Sequence, residues 1–316
     1  MGFFNAVFYA GAVFMKQSRS SAKGIAVLFG AAIVWGFAFA AQNLGADNVT
    51  PFYFNGLRFL LGAAALIPVI LIFERKADDR KKLKTTVFSA AAAGTVLFIA
   101  SYLQQLGITL TDSAGKSGFI TGLYMIIVPI IGIFIGRKTG IQTWAAALLG
   151  VAGLFLICMT GGQITLTPGD MVLVGCAVFY AVQIIVIDRF GDEIYSLRFS
   201  MIQAFVCSLL NFAATAVFEE FAVEPIRLAI IPILYCGIMS SGVGYTLQII
   251  GQKHCEPTAA SIIMSTESVF SVIGGALLLQ ERMAPSAYIG CVLIFGGIVL
   301  SQLNFNKQDA KQSCMK

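Results

Sequence analysis

Polar and apolar residues in this chain are segregated into long apolar runs divided by short charged connections. Ten runs stand out, at about 24–43, 52–73, 86–108, 114–135, 142–160, 170–187, 199–218, 228–250, 258–279 and 286–304. Each is close to the roughly 20 residues a helix needs to cross the hydrocarbon of a bilayer. A lipid-exposed segment must satisfy its own backbone hydrogen bonds, and these runs are too long and continuous for barrel strands. The pattern therefore predicts an all-α integral membrane protein, a bundle of ten transmembrane helices with little protein outside the bilayer.

Composition supports this reading and removes the alternatives. Of 316 residues, 58% are hydrophobic and 12% charged, against roughly 45–50% and 25% in soluble domains. The seven cysteines (Cys158, Cys176, Cys207, Cys236, Cys255, Cys291, Cys314) are odd in number, lack C-x-x-C spacing and mostly sit in apolar runs, so they read as small core residues. The lone histidine, His254, has no second histidine to share a site with.

The positive charges are distributed unevenly. Of the 21 Lys and Arg residues, seventeen fall in the connections on one side and three (Lys116, Arg227, Arg282) on the other, with Arg58 inside a span. By the positive-inside rule this places both termini of a multi-pass membrane protein in the cytoplasm. The net charge of +5 then reflects topology, and nucleic acid is not among the expected partners because no basic extramembrane domain exists to bind it. The apolar stretch Met1 to Phe14 is too short to cross and lacks the basic start of a signal peptide. It is expected to precede a true start at Met15 or to lie in the membrane interface.

Shifting the sequence by 144 aligns 103–153 with 247–297 without a gap, with seven identities in 51 positions. Leu103-Gln104 meets Leu247-Gln248, Gly107 meets Gly251, Asp112 meets Glu256, Ser117 meets Ser261, and Gly153 meets Gly297. Leu57-Arg58-Phe59 recurs as Leu197-Arg198-Phe199 at the head of the second and seventh spans. Five spans is an odd number, so a second copy enters the membrane inverted, an arrangement that in transporters puts the substrate near the midplane between the halves.

Trp35-Gly36, Arg58-Phe59, the stretches TDSAGKSGFITGLYMIIVP (111–129) and STESVFSVIGGALLLQER (265–282), and the closing GCVLIFGGIVL (290–300) occur here in an order and spacing that resembles the EamA-type proteins of the drug/metabolite transporter (DMT) superfamily. The resemblance covers about 24–304 and implies two five-helix repeats, 24–160 and 165–304, between an N-terminal segment (1–23) and a cytoplasmic tail (305–316). It also implies an inner-membrane carrier of small metabolites, commonly an exporter of amino acids or related compounds. Two positions depart from the family: Ser268 stands where Pro is usual and Gln280 where Gly is usual.

The candidate binding residues come from polar stripes inside the spans. Ser113, Ser117, Thr121 and Tyr124 share one face of the fourth span; Thr258, Ser261, Ser265 and Ser268 repeat that stripe in the ninth, beside Glu267. The eighth span adds Ser241, Tyr245, Gln248 and Gln252, and the third adds Ser101, Tyr102, Gln104 and Gln105. Polar side chains in hydrocarbon need a partner or water, so these stripes should converge on an interior chamber. The small Ser and Thr residues fit close helix packing equally well, whereas the longer Gln and Tyr side chains fit a cavity.

Glu267 is the sharpest residue. A mid-membrane carboxylate costs roughly 2.5 kcal/mol or more unless protonated or paired, which makes it a candidate for proton coupling or for binding a substrate ammonium, against a structural carboxyl bonded to a neighbouring helix. Lys116, at the mouth of the fourth span, suits a substrate carboxylate or phosphate, a headgroup, or pairing with Asp112. Arg58, about 9 Å deep at 1.5 Å per residue, is expected to snorkel to the headgroups. Trp35 and Tyr180 could stack on a substrate, and Gln183 lies one turn beyond Tyr180. Pro129 and Pro232 are expected to bend their helices.

No H-e-x-x-h or G-x-S-x-G pattern, phosphate loop or zinc spacing occurs, so neither an intramembrane enzyme nor ATP drive is indicated, and no cofactor is expected. The expectation is a secondary transporter contacting its substrate through spans one, three, four, six, eight and nine, with lipid as its surroundings. A flippase for a lipid-linked substrate and a passive channel are the alternatives on the same fold. Monomer and homodimer are both open.

Overall fold

The computed structural model describes residues 21–75, 79–111, 113–137, 139–158, 167–281 and 285–302. The expectations for residues 1–14, Asp112, Arg282 and the 305–316 tail lie outside these. The helices follow the predicted runs: α1 (Ala22–Ala46), α2 (Pro51–Phe73), α3 (Arg80–Thr111), α4 (Ala114–Gly122 and Tyr124–Phe134), α5 (Ile141–Cys158), α6 (Pro168–Phe190), α7 (Ser196–Phe218), α8 (Ile230–Gln252), α9 (Pro257–Met264 and Glu267–Leu278) and α10 (Pro285–Gln302). A short helix, Val223–Leu228, leads into α8. No strand occurs among the described residues. Eight helices, all but α5 and α10, are long and apolar enough to cross a membrane; Ile141–Gly153 and Tyr288–Leu300 are shorter apolar stretches.

Three helices are interrupted inside their apolar runs. In α4 the break is at Leu123, where i→i+3 bonds (Leu123 N to Ile120 O, 3.2 Å; Ile126 N to Leu123 O, 3.0 Å) replace the α pattern. In α9 it falls at Ser265-Thr266, with the same tightened bonding (Ser268 N to Ser265 O, 3.1 Å; Val269 N to Thr266 O, 2.9 Å). The 144-residue offset carries Leu123 onto Glu267, so the two breaks occupy corresponding places. The third is a widened π turn over Tyr235–Gly244 in the middle of α8, directly after Pro232. The proline in α4, Pro129, lies downstream of its break.

The same offset pairs two residues with left-handed backbone, Gly136 (φ 81°) and Gln280 (φ 58°). Gly136 closes α4, with Arg137 N bonded to Gly132 O at 2.9 Å, as a glycine C-cap does. Gln280 makes the corresponding turn after α9 with a side chain that pays a steric penalty there. That turn points Glu281 at the start of α4, where its carboxylate accepts from Ala114 N (2.9 Å) and Gly115 N (3.5 Å).

Carboxylates also tie α2 to α7, and reciprocally. Glu74, just past the end of α2, accepts from Leu197 N (3.0 Å) and Arg198 N (3.1 Å) at the head of α7. Glu219, just past the end of α7, accepts from Phe52 N (3.1 Å), Tyr53 N (2.9 Å) and the Thr50 hydroxyl (2.7 Å) at the head of α2. A negative group at a helix N-terminus satisfies orphan N–H groups and complements the helix dipole. Because each helix caps the other's beginning with its own end, α2 and α7 run antiparallel, side by side.

Packing elsewhere relies on small residues. Gly36 of α1 lies so close to α9 that a Cβ there would fall 2.1 Å from the Phe270 Cβ and 2.8 Å from the Glu267 carbonyl. Cys176, Cys207, Cys236 and Cys255 are buried and joined by no disulfide among the described residues.

Two variants check this account by thermal unfolding of the purified protein in detergent. Gln280→Gly relieves the left-handed strain and should raise stability by about 1 kcal/mol. Gly36→Ala meets backbone as well as side chain, and should lower it by about 1–3 kcal/mol.

Candidate functional site

A cavity with about 420 Å³ of unfilled space lies among seven helices. It is lined by Trp35, Ala38, Phe39 and Gln42 from α1, Arg58 from α2, Gln104 from α3, Thr121 and Tyr124 from α4, Tyr180 and Ile184 from α6, Ser240, Tyr245 and Gln248 from α8, and Met264 and Glu267 from α9. Both halves of the chain contribute, and so do all three interrupted helices.

The interruptions set the chemistry of the wall. Tyr124 and Glu267 each stand at the beginning of the second segment of a broken helix, and their hydroxyl and carboxyl adjoin one another. Both are almost wholly buried, yet the Tyr124 hydroxyl and Glu267 Oε1 make no hydrogen bond. The Ser240 carbonyl, which accepts from the Tyr245 backbone N–H at the end of the π turn, also accepts from the Trp35 indole Nε1 at 3.3 Å. The Trp35 ring also tilts against Tyr245, centroids 5.0 Å apart. Tyr180 links the third, sixth and eighth helices, donating to Gln104 Oε1 at 3.0 Å and lying 3.2 Å from the Tyr245 hydroxyl.

Beside the cavity, Gln183 and Gln248 exchange amide bonds (Gln248 Nε2 to Gln183 Oε1, 3.0 Å; Gln183 Nε2 to Gln248 Oε1, 3.3 Å), and Gln183 Nε2 also reaches Gln203 Oε1 of α7 at 3.3 Å. Lys116 binds Asp170 in the first turn of α6 at 2.8 Å. At the far end of the same two helices Arg137 pairs with Asp188, so α4 and α6 are joined by an ion pair at each end. Close by on that side, burial raises Glu256 above the usual carboxylate range, and Arg137 opposes the rise.

Of the residues singled out by sequence, the structure gathers Trp35, Gln104, Tyr124, Tyr180, Tyr245, Gln248 and Glu267 around one cavity. Gln183 supports the wall through Gln248. Four others do not line it. Tyr102 stacks on Phe52, centroids 3.8 Å apart and planes 4° from parallel. Ser117 is buried one turn beyond Thr121, and the Ser265 hydroxyl is spent on the Ile262 carbonyl at 2.8 Å. Ser241 packs toward Gly62 of α2: one α turn back from Tyr245 is residue 241, but the wider π turn brings Ser240 to the cavity instead.

One charge assignment is corrected and another is placed in part. Lys116, expected to snorkel, pair with Asp112 or meet substrate, binds Asp170, and the expected pairing with Asp112 lies outside the described residues. Arg58 does not snorkel: it is 1% exposed and lines the cavity. Its Nε donates to Asn55 Oδ1 at 2.8 Å, and its guanidinium lies 4.6 Å from the Phe59 ring centre. The Asn55-x-x-Arg58 spacing, two polar groups on one face of an apolar helix, was the available signal. Thr121 of the α4 stripe joins the lining, and Gln42 and Ser240 complete it beyond the expected residues.

Comparison with known proteins agrees with this architecture. A solved crystal structure, 22% identical in sequence, superposes with a TM-score of 0.74 over 90% of this chain and 99% of its own, which shows the shared fold. An uncharacterized transporter from Archaeoglobus fulgidus is 25% identical over 297 residues, 92% of this chain and 91% of that one. The uncharacterized transporter YoaV of Bacillus subtilis is 23% identical over 87% of this chain and 95% of its own. A probable amino-acid metabolite efflux pump of Escherichia coli is 23% identical over 85% of this chain and 91% of its own. The EamA-like transporter family profile matches twice, at residues 22–159 and 167–303. The chain therefore belongs to the EamA-like transporter family of the DMT superfamily, as a multi-pass membrane transporter and not an enzyme.

Proposed function

We propose that this protein is a secondary transporter that exports a small polar metabolite, an amino acid or related compound, across the cytoplasmic membrane by alternating access. In this reading all ten helices span the bilayer as two inverted five-helix repeats, about 24–160 and 165–304, with both termini in the cytoplasm. The observation that carries it is the cavity itself: polar and aromatic side chains of both halves meet there beside two helices broken at corresponding positions. Broken helices at matching places in two halves are a recurring pointer to a carrier's binding site. The antiparallel, mutually capped α2 and α7 support the inversion. The 23% identity to a probable amino-acid metabolite efflux pump supports the substrate class and direction.

Glu267 is proposed to couple transport to protons. It is an acid in an otherwise uncharged wall of α9, its Oε1 unpartnered beside the Tyr124 hydroxyl. It can take up a proton from one side of the membrane and give it up to the other, alternating with the ionised carboxylate.

Uptake of a panel of radiolabelled metabolites into inside-out vesicles, at two external pH values, tests the reading. The expected result is saturable uptake of at least one amino acid or relative that responds to the pH difference, and a Glu267→Gln protein whose residual transport no longer responds to it. PH-dependent transport surviving in Glu267→Gln would remove the coupling role; linear, unsaturable flux would make the protein a channel. Single-cysteine labelling near residues 18 and 308 of a variant lacking native cysteines should find both on the cytoplasmic face.

A further inference from the structure

Arg58 is the most unusual charge in the molecule. It is fully buried, and a guanidinium carries five N–H donors and no acceptor. Only Nε is hydrogen-bonded, to the neutral Asn55, while Nη2 is buried without a partner. The ring of Phe59 offers cation–π attraction but no acceptor atom. Three ion pairs occur among the described residues, Lys116 with Asp170, Arg137 with Asp188 and Arg227 with Glu224, and none of them includes Arg58. Glu267 lines the same cavity, yet the two do not form an ion pair.

A buried charge is normally paired or hydrogen-bonded at every donor, because an uncompensated one is strongly destabilising. Structural arginines in membrane cores meet that demand with carboxylates or clustered carbonyls. Arg58 has neither, and its side chain is part of the cavity lining. A planar fork with open donors matches a carboxylate, which accepts two parallel N–H bonds.

We infer that Arg58 is the seat of a substrate carboxylate, and that Glu267 across the same cavity receives the substrate's ammonium, so that the ligand is a zwitterionic amino acid. The intervening Trp35, Tyr124, Tyr180 and Tyr245 supply the faces and hydroxyls against which its side chain rests. Asn55, fixed by donating its Nδ2 to the Ser101 carbonyl at 3.0 Å, is a positioning residue: it holds Nε and leaves the outer nitrogens free. This deepens the transport reading and rests on it.

The decisive comparison needs no variant. The full chain in detergent is screened by thermal shift against the twenty common L-amino acids, and each one that stabilises is compared by calorimetry with its carboxamide, which keeps the ammonium and removes the carboxylate charge. The wild-type protein should bind the amino acid at least tenfold more tightly than the carboxamide. Arg58→Gln should bring the two to within twofold of each other, with Arg58→Lys intermediate because it keeps the charge and loses the fork. Glu267→Gln should weaken both ligands while preserving the preference for the carboxylate. Equal binding of amino acid and carboxamide by the wild type, a preference that survives in Arg58→Gln, or no binding of any amino acid would each overturn the assignment. Vesicle transport separates this failure from that of the broader reading. A neutral or purely cationic metabolite carried equally well by wild type and Arg58→Gln refutes the carboxylate seat and leaves the transporter standing; absence of any transport refutes both.

Discussion

In a hydrocarbon setting every backbone N–H and C=O left without a partner costs several kcal/mol, so a helix can be interrupted only where something else takes over its bonds. The three interruptions in this chain obey that constraint. At the α9 break, Ser265 and Thr266 turn their hydroxyls back onto the carbonyls of Ile262 and Ile263, at 2.8 and 2.7 Å. In α8 the carbonyl of Ser240 keeps a backbone donor in Tyr245 N and gains the Trp35 indole, and that of Gly242 accepts from the Thr246 hydroxyl at 2.7 Å. The stripe of Ser and Thr along α9 is thus largely backbone repair: Ser261 and Ser271 also bond carbonyls three residues back, and Ser268 crosses to Gly118 of α4. Side chains too long or too far from a freed carbonyl, Tyr124 and Glu267, are the ones that remain for the cavity.

Helix ends follow the same rule with carboxylates. Glu74, Glu219 and Glu281 each lie just beyond one helix and satisfy the first amides of another. Each cap joins a helix of the first half to one of the second, so polar demand at the helix ends holds the halves together where apolar packing cannot discriminate between protein and lipid. Gln280 shows the strength of that demand: a left-handed turn suited to glycine is kept with a bulky residue because the turn aims Glu281 at α4.

Hydrophobic run length was enough to place the ten long helices, though not the short Val223–Leu228, since hiding its own backbone is a property of an apolar segment by itself. The repeat was legible too, because landmark residues recur at one offset. The site was legible in part. Period-3.6 reasoning found Tyr245 and Gln248 but named Ser241 in place of Ser240, for no local residue pattern marks the π turn. The Lys116–Asp170 pair was not legible, because Asp170 comes from α6, a distance in sequence that only tertiary packing closes. Arg58 was read as snorkelling because its depth allowed that; what decides is the packing of α2 within the bundle, which turns the residue inward with Asn55.

The separation of Arg58 from Glu267 follows from what a carrier must avoid. Two opposite charges in one low-dielectric chamber attract strongly, and a direct pair would stabilise the empty protein while occupying the groups that recognise substrate. Here Asn55 restrains one and Tyr124 borders the other, so neither charge is satisfied by its counterpart. With Arg58 Nη2 and Glu267 Oε1 both buried and unpartnered, a ligand bearing both complementary groups relieves both ends at once. Ligands with only one such group leave the opposite charge buried and alone. Discrimination then arises from the penalty on the wrong ligand as much as from contacts to the right one, which requires only that the two protein charges stay apart in the same cavity.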